Sequence, residues 1–134
     1  LGFNNHQPKW NEDLFEEMKV SNFALNLSRG GPYKYTSSNR IATYIGNGMP
    51  TFVDKKLKFS DFFNKNEKLF FKDEKDIIKQ ISNLLKNPEK IKKIGKNGKK
   101  KYMKYFNSNI VAQYIIEKTL NLSSKNKYFW QKRD

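Results

Sequence analysis

The sequence predicts an α/β fold in which a small parallel sheet carries helices on both faces. Short apolar runs of strand length alternate with stretches whose apolar residues recur every three or four positions, the period of a helix. The predicted order is helix, strand, helix, strand, short helix, strand and then three helices. Strands that alternate with helices favour a parallel sheet with right-handed crossovers. Because the predicted sheet is small, we expect the C-terminal part of a longer protein, with a strand edge that needs covering.

The first predicted helix and strand precede a loop that contains two glycines and a proline. The helix begins behind Asn11, a residue type that caps helices. Its apolar face consists of Leu14, Phe15 and Met18. Residues 21–27 form an apolar run of strand length, and residues 28–38 then break regular structure.

A second helix and two further strands follow this loop. The apolar residues of the helix are Ile41, Ala42, Tyr44 and Ile45. It ends within residues 46–48, where a glycine can adopt the left-handed conformation that closes a helix. Residues 50–54 form the second strand, residues 57–63 form a short helical or irregular stretch, and residues 68–71 form the third strand.

Three helices and a tail complete the predicted fold. The apolar residues of the first of these helices are Ile77, Ile78, Ile81, Leu84 and Leu85. Asn87 and Pro88 end it and begin the next helix, because proline is tolerated at the first helical position. The apolar stripe of that helix consists of Ile91, Ile94, Gly98, Tyr102 and Tyr105. Either Asn107 or Ser108 caps the last helix, whose apolar residues are Val111, Tyr114, Ile115 and Leu120. We therefore predict a domain over residues 1–122 and a basic aromatic tail over residues 123–134.

Composition excludes several classes of chemistry. The 134 residues include no cysteine and one histidine, so a disulfide framework, a thiolate metal site and a cysteine nucleophile are all excluded. His6 alone cannot anchor a histidine-based metal site, and no catalytic residue is identified. No apolar run or leader predicts a membrane span, which indicates a cytoplasmic protein.

Charge is distributed unevenly along the chain. The 27 basic and 13 acidic residues leave a net charge of +14, and all of it lies after Asp54, because the preceding segment is neutral. Lysine carries nearly all of this charge, and asparagine is also abundant. An AT-rich genome produces both enrichments through its codons, so the basic character has a compositional explanation beside a functional one.

The loop over residues 28–38 is the predicted ligand site. In a parallel α/β sheet, ligands bind outside the carboxyl ends of the strands, where the loops lead into helix N-termini. The loop combines glycines that allow close backbone approach, cations, and hydroxyl groups at the start of a helix, which together suit a phosphate or diphosphate. The residues that carry this prediction are Arg29, Gly30, Gly31, Lys34, Ser37, Ser38, Asn39 and Arg40. The alternative is an ordinary turn followed by an ordinary helix cap.

Residues 23–54, FALNLSRGGPYKYTSSNRIATYIGNGMPTFVD, resemble the nucleotide-sugar-binding core of group 1 glycosyltransferases of the GT-B fold. In that pattern a strand ending in Leu-Asn-x-Ser leads through a loop into a helix that starts with Arg-Ile. The resemblance spans residues 10–120 and implies a Rossmann-like three-layer αβα fold, incomplete here, that forms the C-terminal half of the enzyme.

The resemblance also implies how a donor is held. It assigns nucleotide-sugar binding to the loop and helix residues Arg29, Gly30, Gly31, Lys34, Ser37, Ser38, Arg40 and Thr43. Arg40 matches the family's arginine, whereas Thr43 stands where the family has a glutamate that contacts the ribose or the sugar. A hydroxyl makes fewer hydrogen bonds to a diol than a carboxylate does. The family type uses no metal or other cofactor, with the nucleotide-sugar as substrate.

In the intact enzyme, the resemblance implies transfer of a hexose to a cell-envelope polysaccharide or lipopolysaccharide acceptor. The catalytic base would belong to a missing N-terminal acceptor domain, so we expect this chain alone to be inactive. We also expect either that domain or a second copy of the chain to cover the open sheet edge.

A basic module without catalysis is the alternative function. Residues 86–104 contain nine lysines and a single acid, Glu89, which suits either nucleic acid or an anionic membrane. Nucleic acid is the less favoured partner, because the nearby aromatic residues fall on the apolar stripe of the helix. Membrane attachment is compatible with the glycosyltransferase interpretation and would place the protein at the inner membrane face.

Overall fold

The computed structural model describes residues 7–27, 33–124 and 128–133 as a mixed α/β fold. Its helices are α1 (Asn11–Val20), α2 (Asn39–Gly46), α3 (Glu74–Leu84), α4 (Pro88–Tyr105) and α5 (Ser108–Thr119). Its strands are β1 (Ala24–Asn26), β2 (Thr51–Asp54) and β3 (Leu69–Phe71). Short 3-10 helices lie at Lys55–Leu57, Phe59–Asp61 and Phe129–Arg133. The predicted order of helices and strands is confirmed.

The three strands form one parallel sheet in the order β1-β2-β3. Ala24 pairs with Thr51, and Phe52 pairs with Leu69, so the carboxyl ends of all three strands meet at one edge. The small parallel sheet predicted from the sequence is therefore confirmed, and it gives the fold a defined ligand edge.

Alternate residues of the strands supply two apolar cores, one on each face of the sheet. Phe52 of β2 packs with residues of α3 and α4, whereas the neighbouring Val53 packs with α2 and with the 3-10 segment. The first core contains Phe52, Leu69, Phe71, Leu84, Ile91 and Ile94. The second contains Ile41, Ile45, Val53, Leu57, Phe59, Phe62 and Phe63. Burial on both faces gives the three-layer arrangement expected for a parallel sheet.

Two glycines let α4 pass close to neighbouring loops. A Cβ atom added at Gly95 would lie 2.0 Å from the backbone oxygen of Gly48, and one added at Gly98 would lie 2.3 Å from that of Glu67. Both distances are shorter than any side chain tolerates, so α4 requires glycine at these positions. Gly48 itself has φ +81° and follows the C-cap of α2, as predicted for the glycine that closes this helix.

Side-chain caps begin the three later helices. Asp73, Asn87 and Asn107 accept hydrogen bonds from the backbone N–H groups of Asp76, Lys90 and Ile110, respectively. The prediction for α1 is wrong by one residue, because Trp10 occupies the N-cap position and Asn11 is already helical. Of the predicted apolar face of α1, Met18 is buried while Phe15 stays exposed.

Helix α5 departs most from its sequence pattern, because none of its residues is buried. Val111, Ile115 and Leu120, predicted as an apolar face, are exposed. Tyr114, the fourth residue of the predicted face, is half-buried, because Tyr128 and Trp130 of the C-terminal segment pack against it. Phe129 stacks on Tyr105 with ring centroids 4.5 Å apart, and Tyr128 donates a hydrogen bond to Glu117.

Candidate functional site

The candidate site lies at the carboxyl edge of the sheet, between the end of β1 and the start of α2. Asn26 is the last residue of β1, and Ser38 is the N-cap residue of α2. Of the predicted site residues, Arg29, Gly30 and Gly31 lie outside the described part of the chain. The remaining five are Lys34, Ser37, Ser38, Arg40 and Thr43.

Asn26 fixes the start of α2 to the end of β1. Its side chain is 3% exposed, and its Oδ1 accepts a hydrogen bond of 2.8 Å from Ser38 Oγ. A buried amide oxygen that lacked this partner would lose its hydration without compensation. This buried polar contact therefore ties the helix start to the strand end.

Arg40 reaches the same strand end from the first turn of α2. Its Nη2 donates a hydrogen bond of 2.8 Å to the carbonyl oxygen of Leu27, the residue that follows β1. This contact uses one of the five N–H donors of the guanidinium group. The charge is thereby held beside Leu27, where the chain leaves β1.

The start of α2 differs electrostatically from the other helix and turn starts at this edge. It has no acidic residue in its first turn, and Ser38 does not cap it, because its hydroxyl is directed to Asn26. By contrast, Asp54 accepts from the N–H of Lys56 after β2, and Asp73 caps α3 after β3. At the start of α2, the positive end of the helix dipole is thus left without a side-chain carboxylate.

Asp76 favours its charged form at the start of α3. A hydrogen bond from the Gln80 side chain, with a second from the Lys72 backbone N–H, holds the pKa of Asp76 below its ordinary value. Asp73 and Asp76 thus already accept hydrogen bonds from backbone N–H groups at this helix start, and Lys72 and Lys55 pair with them. Among the segments that follow β1, β2 and β3 at this edge, the start of α2 is therefore the best suited to an anion.

The other predicted residues make no described contact with the end of β1. Lys34 Nζ lies 4.6 Å from the centre of the Tyr35 ring, and no described contact joins it to α2. Ser37 lines an apolar cavity next to the helix start. Thr43 Oγ1 donates a hydrogen bond to the carbonyl oxygen of Asn39, one turn earlier in α2.

Sequence reasoning missed two residues that shape this site. The sequence places Asn26 only in an apolar strand and in the Leu-Asn-x-Ser phrase, with no role at the site. Tyr35 has a left-handed backbone with φ 62°, its N–H donates to the Leu57 carbonyl, and its hydroxyl donates to Asp61 at 2.7 Å. The sequence signal for Asn26 was its polar side chain at the end of a strand, whereas Tyr35 carried none, because its partners are more than twenty residues away.

The apolar cavity beside Ser37 has a volume of about 530 Å³. Aromatic and aliphatic side chains from α2, α4, α5 and the C-terminal segment enclose it. Its lining includes Tyr35, Ile41, Phe62, Tyr102, Phe106 and Trp130. It adjoins the candidate anion site but offers few polar groups of its own.

Lys68 is a buried amine outside this site. It is 0% exposed, its Nζ has no hydrogen-bond partner, and burial lowers its pKa to about 7. The nitrogen lies 4.2 Å from the ring centre of Phe59 and 4.9 Å from that of Phe63. Because Lys68 precedes β3, it stands at the amino edge of the sheet, opposite the candidate site.

The described residues form neither a metal-binding cluster nor a membrane-spanning helix. Within residues 7–27, 33–124 and 128–133, no three His, Cys, Asp or Glu side chains come together as a metal ion would require. No helix in those ranges is both long enough and apolar enough to cross a membrane.

Helices on both faces of a parallel sheet, with an open helix start at its carboxyl edge, define a Rossmann-like αβα fragment. The model of a family described as glycosyl transferase-like matches residues 2–117. The chain therefore belongs to this glycosyltransferase family, which confirms the resemblance drawn from residues 23–54. Comparison with curated proteins and with solved structures gives no match.

Proposed function

We propose that this chain binds the nucleotide-sugar donor of a GT-B glycosyltransferase. In the intact enzyme the sugar, a hexose, passes to a cell-envelope polysaccharide or lipopolysaccharide acceptor. Membership of a glycosyltransferase family supports transfer of a sugar in general. The position of Arg40, beside the open start of α2, is the observation that carries the donor-binding role.

The diphosphate of the donor is the group that this geometry suits. A guanidinium group binds phosphate oxygens through paired N–H donors, and a helix start adds backbone N–H groups and a favourable dipole. Arg40 supplies the guanidinium group, and it lies in the first turn of α2, which supplies the helix start. Lys34, Arg29, Gly30 and Gly31 would complete the binding loop, with Ser37 and Ser38 at its end.

Thr43 alters recognition of the ribose or the sugar. Its hydroxyl proton is already donated to the Asn39 carbonyl, so Thr43 offers a ligand only the acceptor side of its oxygen. A carboxylate at this position would accept two hydrogen bonds from a diol. We therefore expect weaker binding of the ribose or the sugar than of the diphosphate.

Catalysis by the intact enzyme is not assigned to any residue of this chain. We assign the catalytic base to an N-terminal acceptor domain, and we expect no sugar transfer by residues 1–134 alone. Cations and a helix dipole stabilise the leaving diphosphate, so no metal or cofactor is proposed. We place the enzyme in the cytoplasm.

Calorimetric titration with uridine, guanosine and adenosine diphosphates tests the donor-binding role. We expect one of them to bind the chain, and Arg40→Gln to weaken its binding about tenfold or more, because hydrogen bonds to charged groups contribute about 1.5–3 kcal/mol. Lys79→Gln on α3 removes one exposed charge far along the sequence and is the matched control. Equal affinities for the two variants, or no binding of any diphosphate, would contradict the proposal.

A further inference from the structure

The solvent face of α4 is a lysine surface. The helix contains eight lysines and one acidic residue, Glu89, among its 18 residues. Seven of the lysines are exposed, and six of these follow the first turn of the helix and lie off the stripe of the buried Ile91, Ile94, Gly95 and Gly98. These six, here called the lysine face, are Lys92, Lys93, Lys96, Lys99, Lys100 and Lys104.

Few carboxylates neutralise the lysine face. Among the ion pairs of the described residues, Lys92 is the one member that has a partner, Glu89 at 3.1 Å. The other ion pair of α4 joins Lys101 to Glu67 at 2.8 Å, and Lys101 is turned toward the core side of the helix. Most of the positive charge of the lysine face is therefore available to an external partner.

The spacing makes these charges act together. Lys92, Lys96, Lys100 and Lys104 follow one another at four-residue intervals, which places successive lysines about 6 Å apart along the helix axis. This spacing is shorter than the screening length of about 8 Å at physiological ionic strength. Their potentials therefore add along about 18 Å of helix.

We propose that the lysine face binds the surface of a bilayer that contains anionic lipids. Lysine is a compact point charge on a long flexible stem, which suits a plane of mobile headgroups and needs no fixed hydrogen-bond geometry. The exposed side of a continuous helix likewise presents its charges in a row. This proposal rests on charge and exposure alone and does not depend on donor binding.

The surroundings of the lysine face argue against nucleic acid as the partner. Single-stranded binding needs aromatic rings on which bases stack. The tyrosines of α4 are already engaged, because Tyr105 stacks on Phe129 at 4.5 Å and Tyr102 stacks on Phe106 at 6.0 Å. The helix also contains no arginine, the residue best suited to paired contacts with phosphates and bases.

Vesicle sedimentation with the whole chain tests the proposal. Vesicles of phosphatidylcholine with about one-third phosphatidylserine are compared with pure phosphatidylcholine in low salt. The variant Lys93→Gln/Lys96→Gln/Lys100→Gln removes three charges from the face. We expect it to bind anionic vesicles about 100-fold more weakly, because each well-placed lysine contributes about fivefold, or about 1 kcal/mol.

A matched triple variant distinguishes the effect of the lysine face on vesicle binding from the effect of net charge alone. Lys56→Gln/Lys65→Gln/Lys79→Gln removes three exposed lysines outside α4 and should retain binding within about threefold, since distant charges are screened. Circular dichroism confirms that both variants keep the fold. Equal loss in the two variants, equal binding to neutral vesicles, or tighter binding to oligonucleotides that depends on the same three lysines would overturn the proposal.

Discussion

Replacing the buried Lys68 by methionine should stabilise the protein and remove a pH dependence from its stability. The Lys68 Nζ has no hydrogen-bond partner, and the rings of Phe59 and Phe63 are the groups found around it. Burial lowers the pKa of this amine from 10.5 to about 7. Methionine fills a similar volume without an ammonium group to desolvate.

The sign of the pH effect follows from the direction of the pKa shift. Below pH 7 both the folded and the unfolded chain carry the proton, so the full cost of burying the charge is present. Between pH 7 and pH 10.5 only the unfolded chain carries it, and stability therefore rises with pH by up to about 1.4 kcal/mol per pH unit. Above pH 10.5 both states are neutral at Lys68.

Urea unfolding of the wild type and of Lys68→Met, followed by circular dichroism at pH 7, 8 and 9, measures this effect. At pH 7 we expect the variant to be more stable by about 4 kcal/mol, and we expect this gap to shrink by about 2 kcal/mol by pH 9. Lys79→Met, at an exposed position, should show no such convergence. If the free energies of unfolding of the wild type and of Lys68→Met differ by the same amount at pH 7, 8 and 9, the reasoning is refuted.

The packing of α4 and the anchoring of α2 lead to two further predictions. Gly95→Ala should lower the free energy of unfolding by about 3 kcal/mol, because the added Cβ meets the Gly48 carbonyl oxygen at 2.0 Å. Gly46→Ala, whose Cβ would lie 3.7 Å from Met103 Cε, should cost nothing, and an equal loss in both variants by urea unfolding would contradict this account. A double-mutant cycle with Asn26→Ala and Ser38→Ala should give a coupling energy of about 1 kcal/mol, measured by the same method. Strict additivity would mean that the Asn26–Ser38 hydrogen bond does not hold α2 to β1.

The apolar pattern of the sequence predicted the elements well where burial is local and regular. Residues 50–54 and 68–71 became β2 and β3 with shifts of one residue at most, because strongly apolar strands leave few alternatives. The same reasoning was only partly right for α5, where Tyr114 packs against Tyr128 and Trp130 while Val111, Ile115 and Leu120 are exposed. Periodicity identifies a face that favours burial, but it does not say which surface covers that face.

The sequence predicts where the candidate site lies, but it does not predict which side chains contact one another there. Arg40 and Ser38 could be located from the order of strand, loop and helix alone. That Ser38 turns to Asn26 instead of capping α2 depends on the burial of the Asn26 side chain, and the sequence shows a polar residue at the strand end without showing its partner. Lys68 shows the same limit, since a lysine beside an apolar run normally faces solvent, and its burial results from Phe59 and Phe63 folding over it.

Amide chemical shifts tell most directly whether the start of α2 holds a nucleoside diphosphate. In a two-dimensional 15N spectrum of the labelled chain, titration with the tightest-binding diphosphate should shift the backbone amides of Leu27, Asn39 and Arg40 in a saturable manner. It should leave those of the lysine face, such as Lys93 and Lys96, unchanged. Saturable shifts confined to α4, or none at α2, would contradict the account.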